Sequence, residues 1–200
     1  MRIMGKRNLM ILFLGLFFCS AFGQSYKKIL PTQKITVNYV DHSIVAELLP
    51  AKYGKADEDR FYAWVSGNQI VITQGGYSGK LLNGDYRDLY SNKNLKESGR
   101  YVNGLKEGLW KNWNENGILT DSYRWLKGVK QGKFYKYDSL GRIVEKGKYR
   151  NNKLVGKHEL IGEEAIKSTY YKKGEEVEKY SFLPKFVRSL IREKEETQDD

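Results

Sequence analysis

Histidine and cysteine are nearly missing: two His and one Cys in 200 residues. A His/Cys metal centre or a Cys–His nucleophile pair needs several such residues together, and His42, His158 and Cys19 are the whole stock. Three prolines leave no Pro-rich linker. No Ser/His/Asp set can be assembled from so few histidines, and no acid pair stands apart from the repeat described below, so neither enzymatic activity nor a cofactor is expected. The length suits one modest domain with an appendage. What the chain does have is rings and positive charge: 15 Tyr, 8 Phe, 4 Trp and a formal net charge of +11. That many aromatics argues for a packed fold rather than a disordered chain.

The first residues have the order of a targeting segment. Arg2, Lys6 and Arg7 precede an apolar run from Leu9 to Phe18, and small residues follow at Ala21 and Gly23. This predicts a secretory signal peptide over residues 1–23, cleaved after Gly23, with an uncleaved anchor as the alternative. Phe18, directly before Cys19, disfavours lipidation. Without this segment the chain has no cysteine and keeps 32 basic against 24 acidic residues, a net of +8. The expected address is periplasm, cell envelope or medium, which makes nucleic acid an unexpected partner for that charge.

The rest is organised by recurrence. Gly84, Gly108, Gly132 and Gly156 are 24 residues apart. With each as position 1, position 3 is Tyr86, Trp110, Phe134 and His158. Position 12 is Leu95, Leu119 and Ile143, and position 18 is Tyr101, Trp125 and Tyr149. Phe61 to Gly79 reads as a degenerate earlier copy. Asn116-Gly117 predicts a two-residue hairpin turn, Asp138 to Gly141 a type I turn, and Asn103-Gly104 a tight turn between copies. Each copy is thus two strands, and the fold class is all-β: an elongated antiparallel meander of repeated β-hairpins. A turn at positions 9 and 10 sets Tyr86 against Gly99, Trp110 against Tyr123 and Phe134 against Gly147, an aromatic lying over a cross-strand glycine in two of the three. Alternation then predicts an aromatic face from positions 3, 7, 12, 14, 16 and 18, and a second face from positions 4, 6, 13, 15 and 17. Position 14 is acidic throughout (Glu97, Asp121, Glu145).

Gly-x-aromatic, Asn-Gly-x-Leu, Gly-x-Tyr and a closing Gly resemble the MORN-repeat variant of YwqK-type antitoxin-like bacterial proteins. The run Thr73 to Gly84 is similar to secreted members of that group, and the resemblance covers roughly residues 61–177. It implies a toxin-neutralising or protein-binding role, with membrane association in MORN relatives, and it supplies no catalytic residue. Departures are His158 at an aromatic position, a shortened fourth copy, and Lys93 where later copies have Gly.

The expected organisation is a signal peptide at 1–23, an N-terminal β segment at 24–60, hairpin repeats at 61–180, and a C-terminal helix with acidic tail at 181–200. Ile35 to Val40 and Ile44 to Leu49 read as strands. Asp57-Glu58-Asp59 reads as an exposed loop cluster, with cation binding as the alternative. Phe182/Leu183, Phe186/Val187 and Leu190/Ile191 recur at spacing four with basic residues between them, an amphipathic helix. It is expected to cover the open end of the sheet, or alternatively to lie on a membrane. A regular repeated surface suits a non-enzymatic binding scaffold. Position 17 is always basic, so Arg100, Arg124 and Lys148 form a predicted cationic ladder, with Trp113 and Tyr137 beside it. A protein partner is expected first, and an anionic membrane surface second.

Overall fold

The structure is a computed structural model that describes residues 32–50, 54–179 and 183–196. The expected signal peptide, Cys19 and the last tail residues lie outside the described residues. The chain forms one 14-stranded antiparallel sheet with a C-terminal helix. It begins with a hairpin, β1 (Gln33–Asn38) and β2 (His42–Leu48). A second hairpin follows, β3 (Phe61–Ser66) and β4 (Gln69–Gln74). The repeats then run β5 (Lys80–Tyr90), β6 (Leu95–Val102), β7 (Leu105–Trp113), β8 (Leu119–Leu126), β9 (Val129–Tyr137) and β10 (Ile143–Arg150). The short β11 (Lys153–Leu154), β12 (Gly156–Ile161), β13 (Ile166–Lys172) and β14 (Glu175–Val177) close the sheet, and α1 spans Lys185–Glu196.

Tight turns set this topology. Between copies the two central residues both take positive φ: Asn103 at 51° with Gly104 at 77°, Lys127 at 48° with Gly128 at 79°, Asn151 at 50° with Asn152 at 64°. That is the type I′ signature, whose twist matches the flanking strands. The register predicted within copies holds, with Tyr86 opposite Gly99, Trp110 opposite Tyr123 and Phe134 opposite Gly147. The turn at Asn116-Gly117 differs from expectation. Only Gly117 has positive φ, and its N–H donates to the Asn114 carbonyl at 2.9 Å, as the Gly141 N–H does to Asp138 at 3.1 Å. Lys93 fills the same left-handed place in the first copy, at φ 69°.

Two bulges per copy reshape the faces. Where one copy meets the next, the pairing slips beside the position-1 glycine: Ser98 faces Lys111, yet Arg100 faces Glu107, across Gly108 at φ 72°. Within each copy a one-residue bulge follows position 12, so Leu89 faces Leu95, Trp113 faces Leu119 and Tyr137 faces Ile143. Directly paired residues share a face. Leu95, Leu119 and Ile143 therefore belong with Trp113 and Tyr137, not on the aromatic face where strict alternation put them. The same bulge brings Lys96 to 3.6 Å from Asp88, whose side chain lies on the aromatic side.

The degenerate copy at 61–79 is not another rung. β2 takes its place beside β5, through pairs such as Ala46–Tyr86. The β3–β4 hairpin touches β5 only at its start, Trp64 to Leu81 and Val65 to Lys80, and folds across the aromatic face. Ala63 there joins a core with Ala46, Leu82, Tyr86, Tyr101 and Trp110, and Val65 and Ile70 pack against it. The outer side of the hairpin carries Tyr62 and Trp64, buried with Leu81. Burying such a side chain contributes about 2–3 kcal/mol. Pro184 directly precedes α1, its carbonyl accepting from the Val187 and Arg188 N–H groups. Among the described residues no strand makes an extensive contact with this helix.

Candidate functional site

Two surfaces stand out, one on each side of the sheet. The outer face carries Arg87, Arg100, Lys111, Arg124, Lys133 and Lys148, all exposed. Among the described residues none of the six has an ion-pair partner. Arg100, Arg124 and Lys148 lie two strands apart, so about 10 Å separates neighbouring rungs. Their surroundings differ. Arg100 has Asp85 and Glu107 as register neighbours, Arg124 has Leu109, and Lys148 has Lys133. The ladder thus grows more basic toward the later copies. Trp113 and Tyr137 share this face but not this place. They sit at the far end of their strands, four residues from Leu109 and Lys133, which is about 13 Å.

The aromatic face is a chain of rings. Tyr86, Tyr101 and Trp110 lie within 5.4 Å of one another, centroid to centroid, beneath the hairpin. Beyond it Tyr123 stacks on Phe134 at 5.5 Å, Phe134 meets Tyr149 at 4.9 Å and His158 at 6.0 Å, and His158 meets Tyr171 at 5.8 Å. Trp110, rather than the paired Tyr86, lies over Gly99; a Cβ there would collide with its indole. The acids at position 14 are engaged on this face. Glu97 binds Lys106 at 2.5 Å, and Glu145 binds His158 at 3.0 Å and Lys136 at 2.7 Å. Burial works to raise the Glu145 carboxyl, but the bonds from Lys136 and His158 outweigh it and hold it below the usual carboxylate range.

Sequence reasoning missed Lys106 and Lys130. The Lys106 ammonium lies 3.8 Å from the Trp110 ring centroid, and that of Lys130 lies 4.1 Å from Tyr123 and 5.2 Å from Tyr149. Burial lowers the proton affinity of Lys130. The signal for both is in the repeat itself. A two-residue turn at positions 20 and 21 pairs position 18 with position 23, and so Tyr101 with Lys106 and Trp125 with Lys130.

Asp57 is tied to its own loop, with Arg60 Nε at 3.4 Å and the Asp59 N–H donating to it at 3.0 Å. Among the described residues no three His, Cys, Asp or Glu side chains gather as around a metal ion. No described helix is long and apolar enough to cross a membrane. No protein family, curated protein or solved structure matches the chain.

Proposed function

We propose that the protein is an exported, non-enzymatic binding scaffold of MORN-like repeats that engages an acidic protein partner through its outer sheet face. The observation that carries this reading is the set of six exposed cations on one face, without ion-pair partners among the described residues, three of them repeating at copy spacing. Such a field raises encounter rates with an acidic surface and falls off with salt. The antitoxin-like role implied by the resemblance is one form of this activity. The test is affinity capture from the native envelope with the chain from residue 24 onward, compared with Arg100→Glu/Arg124→Glu/Lys148→Glu. The triple variant is expected to lose the partner, and added salt to weaken recovery by the parent. Equal recovery by both proteins would remove the ladder.

The second reading is a module that lies on anionic lipid. It is favoured by α1, whose Phe186 is 68% exposed beside the basic residues Lys185 and Arg188. Co-sedimentation with vesicles containing phosphatidylserine decides it. Binding that survives deletion of residues 182–200 assigns the contact to the sheet, and no binding at all discards this reading.

A further inference from the structure

The β3–β4 hairpin stops short of the later copies, and a cleft opens where it ends. Phe61 and Ile72 lie on the hairpin side that bears Ala63 and faces the sheet, since Ala63 pairs with Ile72, yet each is 58% exposed. Together with Tyr101, Lys106 and Trp125 they enclose about 210 Å³. That space holds one large side chain. Its walls are apolar, with Lys106 the one charged side chain among them. Lys106 lines the cleft and Lys130 stands beyond it, beside Trp125, and the two lysines are not equivalent. The Lys106 ammonium is neutralised by Glu97. Lys130, 5.8 Å from the Trp125 ring, has no ion pair among the described residues. The acid that acts on it, Asp121, is already held by the Asn112 amide at 2.5 Å and the Thr120 hydroxyl at 3.0 Å.

We propose that this cleft receives one large apolar side chain from an acidic segment of a protein partner, whose neighbouring carboxylate pairs with Lys130. The apolar walls select the anchor residue. Lys130 selects the charge beside the anchor and would repel a basic segment. Capture of a buried anchor ringed by polar contacts is how most interface affinity is concentrated. The site rests on the reading of the chain as a protein-binding scaffold, but lies on the opposite face from the basic ladder, so the two fail independently.

The test uses the chain from residue 24 onward and three fluorescein-labelled peptides: Asp-Glu-Phe-Glu-Asp, Asp-Glu-Ser-Glu-Asp and Lys-Lys-Phe-Lys-Lys. Anisotropy is expected to show binding of the first below about 1 mM and at least about tenfold weaker binding of the others. Ile72→Asp and Lys130→Gln should each weaken the first by about tenfold, with far-UV circular dichroism unchanged. Arg100→Glu/Arg124→Glu/Lys148→Glu should leave it unchanged. Equal binding of all three peptides, or loss only in the triple variant, overturns the proposal. Binding that emerges only when residues 182–200 are removed makes α1 the occupant and overturns it too. A dimer that Ile72→Asp dissolves would make a second copy the occupant and likewise overturn it.

Discussion

One repeat pattern is used in two ways along this sheet. In the first copies the aromatic face lies under the β3–β4 hairpin, and Tyr86, Tyr101 and Trp110 are 7%, 4% and 1% exposed. In the later copies no strand covers that face among the described residues, and the rings cover one another: Phe134 is 1% exposed only because Tyr123, Tyr149 and His158 surround it. The covered half is a two-layer core held by dispersion and burial. The open half is one layer thick; both halves set a lysine on their rings, Lys106 on Trp110 and Lys130 on Tyr123, and the open half adds the Glu145–His158–Lys136 cluster. A repeat thus does not dictate burial; what folds over it does.

The largest expected effect sets Trp110 against Trp125. Trp110→Ala should cost about 3–5 kcal/mol, the range for emptying a filled core site. Trp125→Ala, at the cleft, should cost about 1 kcal/mol. Urea denaturation measures both, and equal losses would break the distinction. The position-16 glycines give a finer contrast. Gly99→Ala puts a methyl against a fixed indole and should cost about 2–3 kcal/mol. Gly147→Ala meets Phe134 at 2.7 Å and His158 at 3.2 Å, at the edge of a looser layer, and should cost about 1 kcal/mol.

Proton linkage gives an alkaline limb that both halves share, since burial also raises Tyr123 and Tyr149, and an acid limb from Glu145 in the open half. Burial, reinforced by Glu97, holds the Tyr101 phenol above its usual range near 10.0, and burial does the same for Tyr86. Stability from these groups is complete below that value. It is lost as pH rises past it, because the unfolded chain ionises first. Tyr101→Phe should flatten this alkaline limb. Glu145 is held below its usual value of 4.5, so its contribution is present above that pH and lost as pH falls through the folded value. Glu145→Gln should flatten the acid limb instead. Melting temperature across pH 3–11 checks both, and exchanged effects would contradict the assignment. The smallest effect is at Lys93, a side chain in left-handed backbone. Lys93→Gly should stabilise by about 0.5–1 kcal/mol, read from the shift in urea midpoint.

The meander is legible in the sequence because its turns are local chemistry: Asn103-Gly104, Gly117 and Gly141 fix pairing over a few residues. The predicted register of Tyr86, Trp110 and Phe134 follows from that. Two features are not legible. Bulges depend on hydrogen bonding between strands, so alternation misplaces Leu95, Leu119 and Ile143. Residues 61–79 share the aromatic and glycine content of a repeat, and nothing in their composition distinguishes a rung from a cover. That choice is made by tertiary pairing, with β2 already occupying the edge of β5. In the candidate site the exposure of Arg100, Arg124 and Lys148 can be read from a basic residue recurring at one position. The separation of Trp113 and Tyr137 from them depends on distance along the strand, which a face assignment does not contain. Lys106 and Lys130 follow from the turn between copies, and pairing within a copy does not reach them.

Amide hydrogen exchange tests the two-halves architecture most directly. Residues 81–102 should exchange far more slowly than residues 143–172 in the intact chain. Replacing residues 61–74 by a short Gly-Ser linker should bring residues 81–102 down to the protection of the later copies. Equal protection along the intact sheet, or protection of residues 81–102 that survives the deletion, would show that the hairpin is not what divides this molecule.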